Sequence, residues 1–87
     1  MPYIKKEERV EMDKVVDFMI EHGVKADGKL NYVLFKFCKN TLFDTQKESY
    51  NEYKNFLGEL NECAEEIRRR LLSLYENSKI IENGDVY

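Results

Sequence analysis

From Tyr50 to Ser78 the apolar positions alternate at spacings of three and four: Tyr50, Tyr53, Leu57, Leu60, Ala64, Ile67, Leu71 and Leu74, closing at Ser78. This is the a/d seam of a heptad held for about four repeats, with no proline and with Gly58 as its one glycine. The spacing predicts a helix over about 50–78. Ser49 and Glu52, three apart, form a capping box immediately before the seam begins. A helix of roughly 29 residues is about 43 Å long, whereas a compact chain of this size is only about 30 Å across. Part of the seam therefore needs a cover from outside its own globule. Tyr53, Leu57, Leu60, Ile67, Leu71 and Leu74 are the candidate oligomer interface.

Two shorter helices precede it. Met12, Val15, Val16 and Met19 share one face of a helix over about 5–22, with Glu7 and Glu8 in the first turn, where the helix dipole favours acids, and Gly23 as the residue that ends it. Asp27-Gly28 is turn chemistry. Leu30, Val33, Leu34, Phe37, Cys38 and Thr41 then follow the i, i+3, i+4, i+7 rule over about 29–42. Tyr32, Phe35 and Leu42 add apolar surface off that stripe, so this helix is expected to be buried on more than one side. Residues 44–47 read as a polar loop. In the tail, 79–87, Asn83-Gly84 is a strong turn signal, after which Val86 and Tyr87 are expected to fold back on the helix end, with Tyr3 and Ile4 as candidates to meet them there.

The flanks of the seam differ along its length. Phe56 and Cys63, at g, widen it in the first half; Leu72 and Tyr75, at b and e, widen it on the other side in the second. A parallel coiled-coil dimer is expected to carry opposite charges at e and g, yet Lys54, Asn61, Arg68 and Tyr75 stand against Phe56, Cys63, Arg70 and Asn77. The expected architecture is an all-α single domain spanning 1–87. Two shorter helices pack on a long C-terminal helix with a heptad seam, and copies assemble as a helical-bundle oligomer.

Composition narrows the function classes. The 87 residues carry 14 Lys and Arg against 17 Asp and Glu, a net charge of −3, which does not point to nucleic acid. No apolar run approaches the ~20 residues of a membrane span and no signal-peptide h-region opens the chain, so a cytoplasmic protein without a membrane partner is expected. Cys38 and Cys63 both fall on apolar helical positions, as buried thiols do in a reducing compartment. With one histidine they fall short of a four-ligand zinc site, and neither metal nor cofactor is expected. No Gly-rich phosphate loop, nucleophile elbow or Glu-x-x-His pattern occurs, and His22 has no positioned base beside it. The chain does not read as an enzyme.

The bases cluster at Lys5-Lys6 and Arg68-Arg69-Arg70. Successive helical residues stand about 100° apart, so the three arginines fan around the helix rather than converge. Glu65 and Glu66, four residues before Arg69 and Arg70, suit a solvated ion-paired face. Alternatively Arg68 or Arg70, both flanking the seam, holds an anion, with Tyr75 and Lys79 one and two turns beyond on the side of Arg68. Tyr3 and Lys6 complete the ligand candidates, as a second positive edge. The six tyrosines suit partly wet interfaces.

Met1-Pro2-Tyr3-Ile4 with Arg9, Asn31-Tyr32-Val33, and the block from Tyr50 through Gly58, Arg69-Arg70 and Tyr75-Glu76 to Glu82-Asn83-Gly84-Asp85-Val86-Tyr87 resemble a small uncharacterised family of bacterial and phage proteins. Where that family usually has a tyrosine this chain has Arg68, and where it has a proline this chain has Leu74, so the long helix is expected to run straighter. The resemblance implies a phage or mobile-element setting, in the host cytoplasm, without implying an activity. The function expected is that of a non-catalytic homo-oligomeric helical binding protein that interferes with a host process by capturing a protein. The alternative is sequestration of a small phosphorylated ligand, such as a cyclic nucleotide immune signal, between subunits.

Overall fold

Glycine and capping chemistry sets the helix ends, as seen in the computed structural model, which describes residues 4–86. Helix α1 spans Lys6–Glu21. It stops at Gly23, whose φ of 70° is open to a residue without Cβ. There the Gly23 N–H donates to Ile20 O at 3.1 Å and the Val24 N–H to Met19 O at 3.0 Å, the paired bonds of a Schellman end. Helix α2 spans Lys29–Cys38 and continues through a π turn, Lys39–Phe43. A second Schellman pair closes it, from Gln46 to Phe43 O at 3.1 Å and from Lys47 to Leu42 O at 3.0 Å, with Gln46 at a φ of 58°.

The capping box expected at Ser49 is present in its principal half: the Glu52 N–H donates to Ser49 Oγ at 3.1 Å. From there α3, Tyr50–Ile67, runs into a π turn, Arg68–Leu72, and on into α4, Ser73–Asn83. Together these make one helical stretch of 34 residues, and the described residues contain no strand. The helix thus passes the expected end at 78. Asn83-Gly84, expected as a turn, ends the helix, with Gly84 at φ 85° donating its N–H to Ile80 O at 2.8 Å. Val86 does not fold back; it is 93 % exposed, and Tyr3 and Tyr87 lie outside the described residues.

The described residues divide into two units, 4–54 and 55–86. In the first, Leu42 is buried, and Val33, Leu34 and Cys38 on the same stripe are half-buried. The expectation that the second helix is covered on more than one side does not hold: Tyr32, Phe35 and Phe37 are each more than half exposed. Along α1, Val10, Val15, Val16, Phe18 and Ile20 are likewise more than half open. In the second unit no residue is buried.

The π turn changes the register of that second unit. Closing a turn to the fifth residue instead of the fourth takes up one additional residue, so everything beyond Leu72 lags by about 100° around the axis. The Ser73 N–H and Oγ both donate to Arg68 O, the latter at 2.8 Å. Lacking the proline thus does not make the helix regular here. On the lagged helix the face of Leu57, Leu60 and Ile67 continues onto Leu72 and Tyr75 rather than Leu71 and Leu74. Leu72 is also the more covered of the adjacent leucines, 42 % exposed against 65 % for Leu71.

Candidate functional site

The arginine triple resolves into one ion-paired group and one open charge. The Arg69 guanidinium meets Glu66 Oε1 at 2.5 Å, and Arg70 meets Glu66 Oε2 at 3.5 Å. The Glu66 side chain is only 15 % exposed beneath them. The i+3 and i+4 spacing brings both arginines to this one carboxylate. Arg68 forms no ion pair among the described residues and is exposed.

Tyr75 and Lys79 come together, with the Lys79 ammonium 5.6 Å from the centre of the Tyr75 ring and 3.3 Å from Glu82 Oε2. With Ile80, Asn83 and Gly84 they line an open groove of about 480 Å³ at the end of α4. Arg68 is not aligned with them. The seven residues from Arg68 to Tyr75 make two turns of a regular α-helix, but the π turn between them removes that alignment. The groove also holds Glu76 and Asp85, and it opens at a helix C-terminus, where the carbonyls are electronegative. By itself it favours a cation over an anion. Of the other two ligand candidates, Lys6 is exposed in the first turn of α1, and Tyr3 lies outside the described residues.

The interface candidates also separate. Leu57, Ile67, Leu71 and Leu74 are 51–65 % exposed and Leu60 is half-buried. Tyr53 instead belongs to a pocket of about 290 Å³ in the first unit, with Phe35, Cys38, Lys39 and Phe43. Its wall is apolar because the polar tips are held elsewhere. The Tyr53 hydroxyl donates to Glu48 Oε2 at 2.5 Å, and the Lys39 ammonium sits 3.0 Å from Asp44 Oδ1 and 5.7 Å from the Phe43 ring centre. The bond to Glu48, more than burial, pushes the Tyr53 phenol up to about 12. Sequence reasoning passed over this pocket, although Phe35 and Phe43, on either side of Cys38, are the aromatic signal for it.

Cys38 and Cys63 are free thiols, and Cys63 is exposed rather than buried. His22 stacks on Phe18 with ring centres 4.0 Å apart and donates from Nδ1 to Phe18 O at 2.9 Å. Among the described residues no group of three His, Cys, Asp or Glu side chains is placed to hold a metal, and no helix is long and apolar enough to cross a membrane.

No curated protein and no solved structure matches the chain. The family model of a domain of unknown function, DUF6899, matches residues 1–86, and the protein belongs to that family.

Proposed function

We propose that the protein is a non-catalytic homo-oligomer that works by binding, its subunits joined through the helix of residues 55–83. One observation carries this reading: neither unit covers its own apolar faces. Leu42, at 8 %, is the one buried apolar side chain among the described residues, while Leu57, Ile67, Leu71 and Leu74 are more than half open. Helices in proteins gain most of their stability from packing an amphipathic face, and monomers seldom leave apolar patches beyond a few hundred Å². A second copy provides a face of matching chemistry. Light scattering behind size exclusion tests this; the mass of a single chain at micromolar concentration would overturn it.

Within a phage or mobile-element setting the use of such an assembly is capture of a host protein. The apolar pocket of Phe35, Phe43 and Tyr53 is suited to one apolar side chain of that partner.

A second reading, capture of a small phosphorylated ligand such as a cyclic nucleotide between subunits, is favoured by Arg68, which has no acid of its own to neutralise, and by the Tyr75–Lys79 pair. The acids around that pair mean that an anion needs positive charge from a second copy. Thermal shift against a nucleotide panel separates the readings, since a ligand at 100 times its Kd stabilises by about 2.7 kcal/mol. No shift with any nucleotide, together with a specific host protein retained on the purified oligomer, favours protein capture.

A further inference from the structure

We infer that the second copy lies antiparallel along the helix of residues 55–83, the two chains crossing near Glu65 and Glu66. The inference rests on the homo-oligomeric reading and adds to it a direction and a register. The helix is electrically lopsided. Residues 55–67 hold Glu59, Glu62, Glu65 and Glu66 with no base, and Arg68, Arg69 and Arg70 follow at once. On the regular heptad Arg68 and Arg70 stand on the two flanks of the apolar face, where a partner helix passes.

In a parallel pair the flanking arginines of both copies meet at one level, and the acidic stretches lie side by side. Like charges are then repeated along the contact, and at interhelical distances of about 8–10 Å salt screens them only in part. Turning one copy round sets the arginines of the two copies off level and leaves only Glu65 and Glu66 beside their counterparts. Arg68 comes beside Asn61 of the second copy and Arg70 beside Cys63, flanks without charge, with the acidic stretch of that copy behind them. Glu66, nearest the crossing point, is already neutralised by Arg69 and Arg70 of its own chain.

The apolar spacing closes in the same register. A three-four alternation read backwards is a four-three alternation, so about this centre Ala64 meets Ile67, and Leu60 and Leu57 meet the apolar residues one and two steps beyond. On the regular heptad these are Leu71 and Leu74; on the lagged helix they are Leu72 and Tyr75. Either way an apolar residue meets an apolar residue in every layer, and all the residues concerned are open or half-open.

Spin-label distances in the full chain test this. In a Cys38→Ala, Cys63→Ala background, a label at Ser78→Cys and, in a second protein, a label at Glu65→Cys are each measured between copies, with light scattering on the same samples. An antiparallel pair crossing near residue 65 puts the Ser78 labels about 25 residues apart along the axis, about 38 Å, and the Glu65 labels within about 20 Å. A parallel pair puts both within about 20 Å. A long shortest distance at Ser78 with a short one at Glu65 supports the inference. Short distances at both sites, or long ones at both, in a sample of confirmed oligomeric mass overturn it while the homo-oligomeric reading stands. A single-chain mass overturns both.

Discussion

Ile67→Asp isolates the apolar face from the stability of the chain that presents it. Ile67 is 51 % exposed, so about half its side chain is open to a partner. Full burial of an isoleucine contributes about 1.5–3 kcal/mol, and burial of the open half therefore about 1 kcal/mol per copy. A symmetric pair loses that twice, about 2 kcal/mol, so Ile67→Ala weakens association about 30-fold. The carboxylate of Ile67→Asp adds the cost of bringing an unpaired charge into the contact, which carries the loss beyond about 100-fold. Sedimentation equilibrium over a concentration series gives the dissociation constants, and circular dichroism on the same samples follows helix content. Glu11→Gln is the control: its pair with Lys14 is 69 % exposed on both sides, and neither mass nor helix content should move. If Ile67→Asp keeps the mass of the parent protein with a dissociation constant within about threefold, the open face is not the contact and the reasoning fails.

Ser49→Ala removes the acceptor for the Glu52 N–H and should cost about 1 kcal/mol in chemical denaturation. Gly58→Ala should stabilise by up to about 1 kcal/mol in the same assay, because the glycine is inside α3 and nothing lies within 4 Å of the added Cβ. Tyr53 should titrate near 12 in the folded protein, read by phenolate absorbance, and Glu48→Gln should return it toward 10. Since the folded value is raised above the unfolded one, the stability tied to this proton is complete below about pH 10 and is lost as pH rises toward 12. Leu72→Ala should weaken association more than Leu74→Ala if the seam follows the lagged face; the reverse order would restore the unbroken heptad.

Secondary structure was legible in the chain to the extent that local chemistry decides it. Gly23 ends α1 and Ser49 caps α3 because each acts on backbone groups within a few residues. Tail chemistry misled for a related reason. Asn83-Gly84 suits a turn between strands, but the same glycine at positive φ serves equally as the end of a helix. The residues before it decide which, and from Ser73 to Asn83 they stay helical. Burial was less legible. Tyr32, Phe35 and Phe37 on α2 are apolar without being covered, since hydrophobicity reports that a face needs a partner and not whether its own chain supplies one.

The candidate site failed to assemble as the spacing suggested for one physical reason. Periodicity arguments place Arg68, Tyr75 and Lys79 on one side only while every residue turns the helix by the same angle. A π turn at 68–72 violates that assumption between the first of these residues and the others. Its effect is to move Arg68 away from the Tyr75–Lys79 pair and to bring that pair into line with Leu57, Leu60 and Ile67. The helix therefore has a face that begins aliphatic and ends in an aromatic and a lysine, with the arginines set around its middle. A partner that follows such a face must tolerate a concentrated positive charge halfway along it. A second copy run in the same direction repeats that charge at the same level, whereas a reversed copy presents its uncharged flanks and acidic stretch there. The register break and the charge asymmetry thus constrain the same choice, and both lie in residues whose spacing alone looks like an uninterrupted coiled coil.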